Sequence, residues 1–95
     1  MESAFLPRRT KGLAWCLKDE GGLIFNETGT RTWSINPLGL FIWDRCDGSR
    51  DVGRIVREMC QQFEIDEADA RADVADFLTS MEDLGLIQLH SPVAV

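Results

Sequence analysis

Long apolar runs are missing from this 95-residue chain. The longest, Leu38 to Trp43, is broken by Gly39 and falls well short of the ~18 residues of a membrane helix. The opening stretch, MESAFLPRRTKG, has no apolar segment long enough for a signal peptide. The expected location is therefore the cytoplasm, with no membrane partner. Cysteine is scarce and odd in number: Cys16, Cys46 and Cys60 lie far apart. An odd count without a signal peptide argues against a disulfide framework. Zinc ligands usually come in pairs about two to four residues apart, and no such pair occurs, so neither a metal nor another cofactor is expected. Histidine occurs once, as His90, in a carboxy-terminal tail that reads as loose. One imidazole, three unpaired thiols and scattered carboxylates do not assemble a nucleophile, a base and an orienting group. Asp44, Asp47 and Asp51 cluster, but a helix cap and a turn account for two of them. No glycine-rich loop follows a strand and opens a helix, because Gly21-Gly22 falls inside a hairpin. Enzymatic chemistry and nucleotide binding are both disfavoured.

What is present suits one small folded domain over residues 1–95, with a core over about 5–89 and a frayed tail from Pro92. Hydrophobic content of 44% and charged content of 27% are ordinary for a soluble globular protein. A chain this long buries somewhat over ~60% of its unfolded surface, enough for one modest core. The net charge of −6 is unevenly spread. Arg8, Arg9, Lys11 and Lys18 make the first eighteen residues basic, opposed only by Glu2. From Asp66 to Asp83 seven acids face one base, Arg71, the pattern of a solvated helix face.

The extended third comes first. Leu13–Lys18, Leu23–Asn26 and Thr30–Ile35 are rich in the aromatic and β-branched residues that suit a half-buried pleat. The links Asp-Glu-Gly-Gly at 19–22 and Asn-Glu-Thr-Gly at 26–29 supply hairpin residues, so a three-stranded antiparallel meander is expected. In the third strand Arg31, Trp33 and Ile35 face one way and Thr30, Thr32 and Ser34 the other. Asn36-Pro37 then opens a helix carrying Leu38, Phe41 and Ile42 and closing at Asp47-Gly48. Asp51 caps a second helix, whose stripe of Val52, Ile55, Val56, Met59, Cys60 and Phe63 has helical spacing. A third starts near Asp66, buries Val74, Phe77, Leu78, Met81 and Leu84, and stops at Gly85. Leu86–Leu89 adds a brief strand. The fold class is α+β: a three-stranded antiparallel sheet followed by three helices, with a winged-helix-like outline.

That outline also serves DNA-binding regulators, the rival reading. DNA affinity depends on neutralising phosphates, yet the helix that would enter the groove is the most acidic part of the chain. No nucleic-acid partner is expected. Peptide capture fits better. The third strand runs straight into a helix and so lies at a sheet edge, which templates another strand unless blunted. Apart from Arg31, Thr30–Ile35 carries nothing to blunt it. An added strand would gain main-chain bonds, and pockets between Trp33 and the third helix would select side chains. A third reading is a subunit that buttresses an enzyme without touching its substrate.

Residues 33–56, WSINPLGLFIWDRCDGSRDVGRIV, resemble the PqqD family of recognition elements for ribosomally made, post-translationally modified peptides. The matching positions are Ile35-Asn36, Ile42-Trp43, Asp47-Gly48 and Ile55-Val56. Further on, Asp73-Val74, Phe77-Leu78 and Gly85-Leu86 are similar to the family's third helix and its exit. The likeness covers roughly residues 5–89. It implies a winged-helix-like fold in which the leader segment of a precursor peptide lies antiparallel along the third strand, in a cleft walled by the third helix. It also implies a modifying-enzyme partner, a radical-SAM protein or a leader peptidase or cyclase. Carried over by position, Thr30, Arg31, Thr32, Trp33, Ser34 and Ile35 would bind the peptide, with Arg71, Val74, Leu78 and Met81 lining the cleft. Ile35 stands where the family usually has Leu, and Asp51 where it usually has Thr; both suit the same fold.

Overall fold

Asn36 divides the molecule into sheet and helices. Its side chain accepts from the Gly39 amide at 2.7 Å, and Pro37 follows where no amide partner is needed. A computed structural model describes residues 1–91. The expectation of a frayed tail from Pro92 lies outside the described residues. The elements run β1 (Leu6–Arg9), β2 (Ala14–Lys18), β3 (Gly21–Phe25), β4 (Thr32–Ile35), α1 (Pro37–Asp44), α2 (Val52–Phe63), α3 (Glu67–Asp83) and β5 (Ile87–His90).

The expected meander is there: β2, β3 and β4 form an antiparallel sheet in that order, with Trp15 opposite Ile24 and Ile24 opposite Trp33. Its first link is tighter than expected. Gly21 and Gly22 belong to β3, and only Asp19 and Glu20 turn the chain. Gly21 is fixed there by its φ of 119° and by the Ile35 carbonyl, which occupies the space of a Cβ. The third strand begins later than expected, at Thr32, because Thr30 is held in the turn by Asn26 Nδ2 at 3.2 Å.

A second sheet was not anticipated at its first strand. β1 pairs antiparallel with β5, Pro7 opposite Leu89, and draws the two ends of the chain together. His90, expected in a loose tail, thus sits in a strand opposite Leu6. On its other side β1 is stitched to the α1–α2 link: Arg9 donates to the Cys46 carbonyl, and Gly48 and Val52 donate to the carbonyls of Pro7 and Phe5.

Asp51 caps α2 by accepting from Arg54 N at 2.7 Å, and Asp66 caps α3 by accepting from Ala68 N at 3.2 Å. The core joins Ile24 and Ile35 of the sheet to Ile42 and Trp43 of α1, Val52, Ile55, Val56 and Met59 of α2, Ala70, Val74, Leu78 and Met81 of α3, and Leu86 and Ile87. Two apolar residues expected inside are not. Phe63 ends α2 against Phe41, ring centroids 5.1 Å apart, and Leu84 is 47% exposed past the end of α3. Both fall at helix ends, beyond the reach of the core.

Candidate functional site

Among the described residues β4 pairs with β3 alone and leaves its other edge open. One bond sets the phase of that edge: the Asn26 amide donates to the Arg31 carbonyl at 3.2 Å. Bonded and non-bonded pairs alternate along an antiparallel ladder. Ile24–Trp33 and Gly22–Ile35 are therefore bonded pairs, while Phe25–Thr32 and Leu23–Ser34 are not. The N–H and C=O of Thr32 and Ser34 consequently point outward, away from β3. Neither proline nor lysine interrupts Thr32–Ile35, so the rim can accept a strand.

The side chains alternate as expected: Thr32 and Ser34 face solvent, Trp33 is half-buried and Ile35 is in the core. Arg31 is exposed and lays its guanidinium 4.9 Å from the Trp33 ring centroid. Across from β4, with α1 packed against both, runs α3. Val74 and Leu78 are wholly buried and Met81 nearly so, seating α3 on the core as Ile35 seats β4; all four offer almost no surface to a ligand. Phe77 of α3, expected in the core, is instead half-buried. Three residues from Val74, it is rotated about 60° away around the helix. It lies over Gly39, where an added Cβ would come within 2.9 Å of its ring. A glycine in α1, letting the ring approach, was the signal that could have found it.

Arg71 is turned toward Ser3 rather than toward Phe77. Its Nη1 donates to Ser3 Oγ at 2.7 Å and its Nη2 lies 3.6 Å from Glu67. It projects about 120° around α3 from Phe77. The reason is the amino-terminal segment, where the Ser3 carbonyl accepts from Gly53 at the start of α2 and brings its hydroxyl to Arg71. Thr30 is likewise occupied in the turn, within 2.8 Å of Thr28 Oγ1.

The perturbed titratable groups lie elsewhere. Burial pushes the Cys46 thiol up to about 12. Two hydrogen bonds from Ser49 hold Asp47 below its usual range. Glu58 is partly desolvated, but Arg50, Arg54 and Arg45 overcome this and lower its pKa. Each accounts for itself structurally, as a core thiol, a turn carboxylate and an ion-pair hub. Among the described residues no group of histidine, cysteine and carboxylates could hold a metal. The rim is equipped to bind, through oriented backbone and an apolar wall. The exposed side of α3 carries Glu67, Asp69, Asp73, Asp76, Glu82 and Asp83, a poor surface for phosphates.

These features define a winged-helix-like α+β domain whose open strand rim runs beside a helix. The family model described as coenzyme PQQ synthesis protein D (PqqD) matches residues 21–87, from β3 to the start of β5. The chain belongs to the PqqD family. A PqqA binding protein of Xanthomonas oryzae pv. oryzae (strain PXO99A) is 29% identical over 59 residues, 62% of this chain and 64% of that protein. The match thus spans just under two thirds of the relative's length. Among solved structures, TbiB1 in complex with the TbiA(beta) leader peptide superposes with a TM-score of 0.73 at 19% identity, covering 93% of this chain and 99% of the other. A lasso peptide synthetase B1 complexed with its leader peptide gives 0.75 at 18% identity, covering 87% and 98%. The PqqD truncation of Methylobacterium extorquens PqqCD, a stand-alone recognition element for ribosomally synthesised and post-translationally modified peptides, gives 0.72 at 18% identity, covering 86% and 87%. At these identities the shared property is the fold. No described helix is long and apolar enough to cross a membrane.

Proposed function

We propose that this chain is a non-catalytic recognition domain, working as one unit over about residues 5–89. It captures the leader segment of a ribosomally made precursor peptide and presents it to a modifying enzyme. The observation that carries this reading is the phase of β4: the outward N–H and C=O of Thr32 and Ser34 form a ready half-ladder beside Trp33, and Phe77 of α3 is assigned to the opposite wall. The leader adds antiparallel to β4, and its inward side chains settle between the two rings. The names of the relatives support the same reading, since one is a PqqA binding protein and two structural neighbours hold leader peptides. The enzyme partner is a radical-SAM protein or a leader peptidase or cyclase, and the meeting takes place in the cytoplasm.

Magnitudes suit capture and release. Burying ~200–300 Å² of apolar surface at ~25 cal/mol per Å² contributes about 5–8 kcal/mol before ordering costs. Backbone bonds add to this, and the net affinity expected is about micromolar. Isothermal calorimetry with the synthetic leader of a precursor peptide tests the reading. The wild-type chain binds the leader, and Thr32→Pro weakens binding at least about tenfold while circular dichroism is unchanged. Equal affinities for the two proteins would refute capture at β4.

A further inference from the structure

The sheet has a second open edge that the peptide rim does not use. Among the described residues β2 pairs with β3 alone, and all five of its residues are exposed. Its phase follows from β3. Gly22 and Ile24 spend their backbone groups on β4, so Gly21, Leu23 and Phe25 bond to β2 and hold Lys18, Cys16 and Ala14 inward. The N–H and C=O of Trp15 and Leu17 therefore point outward. Their side chains lie over a cavity of about 360 Å³ lined also by Leu40, Phe41 and Phe63. Leu17 is 76% exposed and Trp15 36%. The strand has no proline and a single charge, Lys18, at its end. β1, which leads into it, pairs with β5 instead.

We infer that β2 is the contact surface for a second copy of this chain, the two strands pairing antiparallel about a two-fold axis at Cys16. The sequence of the strand is complementary to itself in this register. Cys16 faces Cys16, Trp15 faces Leu17 of the other copy, and Lys18 faces Ala14 rather than a like charge. The outward backbone groups coincide: Trp15 and Leu17 of the other copy exchange both bonds, and symmetry repeats the exchange. Each Leu17 then lies beside the other copy's Trp15, apolar against apolar on one face, above the cavity. Centring the axis on Trp15 or on Leu17 would pair only three residues of each strand. An interface of this kind closes on itself and cannot propagate. The joined sheet ends in β4 of either copy, so both peptide rims remain open, and the dimer holds or falls independently of what they bind.

Sedimentation velocity of the full chain in reducing buffer, over a dilution series, tests this. Wild type shows a monomer–dimer equilibrium. Leu17→Lys changes an exposed position, leaves thermal unfolding unchanged and weakens the dimer at least about tenfold. Thr32→Pro leaves it intact. Diamide, taking two hydrogens from facing thiols, links the dimer through Cys16–Cys16 on a non-reducing gel, and Cys16→Ser yields no linked dimer. A chain monomeric throughout, a dimer that survives Leu17→Lys or is lost with Thr32→Pro, or a linkage through Cys60 would each overturn the assignment.

Discussion

Glu58 gathers three arginines, with Arg45 and Arg50 at 3.1 Å and Arg54 at 3.3 Å. Its folded pKa lies below the ordinary 4.5, and Asp47 likewise lies below 3.8. A lowered carboxylate contributes stability that is complete above its unfolded pKa and lost as pH falls through its folded one. The urea midpoint should therefore hold from neutral pH down to about 5 and decline below about 4.5. Glu58→Gln should cost about 1 kcal/mol at pH 7 and flatten part of that decline, as urea titrations at several pH values will register. Gly21→Ala makes a sharper case. It places a methyl against the Ile35 carbonyl at a φ of 119°, so a loss of at least about 2 kcal/mol is expected in the same assay. Single residues were legible where their partners are near in sequence. Asn36, Asp51 and Asp66 cap the helices expected of them, because a cap reaches only two or three residues ahead. Arg71 is the opposite case: its partner Ser3 lies 68 residues away and nothing local to α3 announces it.

At the scale of elements the decisive fact is a phase. Alternation in Thr30–Ile35 told which side chains face the core, and that part held for Trp33, Ile35, Thr32 and Ser34. Which amides face outward depends on register against β3, which no pattern within the strand itself carries. The same distinction separates two substitutions in α3. Leu78 is wholly buried, so Leu78→Asp should unfold the domain and say nothing about binding. Phe77→Ala removes a half-buried ring that packs over Gly39 of α1, the ring proposed to wall the cleft. It should leave the domain folded, cost about 1 kcal/mol in stability and weaken leader binding about tenfold by calorimetry. Unchanged affinity would remove Phe77 from the site. β1 escaped notice because Leu-Pro-Arg-Arg has no apolar alternation and its partner strand lies at the other end of the chain. Helical periodicity, by contrast, located α2 and α3 closely, failing at Phe63 and Leu84, where the helices outrun the core, and leaving Cys60 and Phe77 half-buried at its margin.

The molecule as a whole packs a three-stranded and a two-stranded sheet with three helices, with the negative charge collected along α3 and an open backbone rim at each side of the three-stranded sheet. Family membership and the winged-helix-like architecture were legible in the sequence because spaced pairs such as Ile42-Trp43 and Asp47-Gly48 mark a core and a turn together. The central claim is narrower: a visiting peptide joins the sheet as a strand at β4. Amide hydrogen exchange resolved by NMR, with and without the precursor leader, measures this directly. The claim requires the Thr32 and Ser34 amides to gain protection on binding while Trp33 and Ile35, already bonded to β3, keep theirs. Binding without new protection at Thr32 and Ser34, or with protection appearing at Trp15 and Leu17 instead, would contradict it.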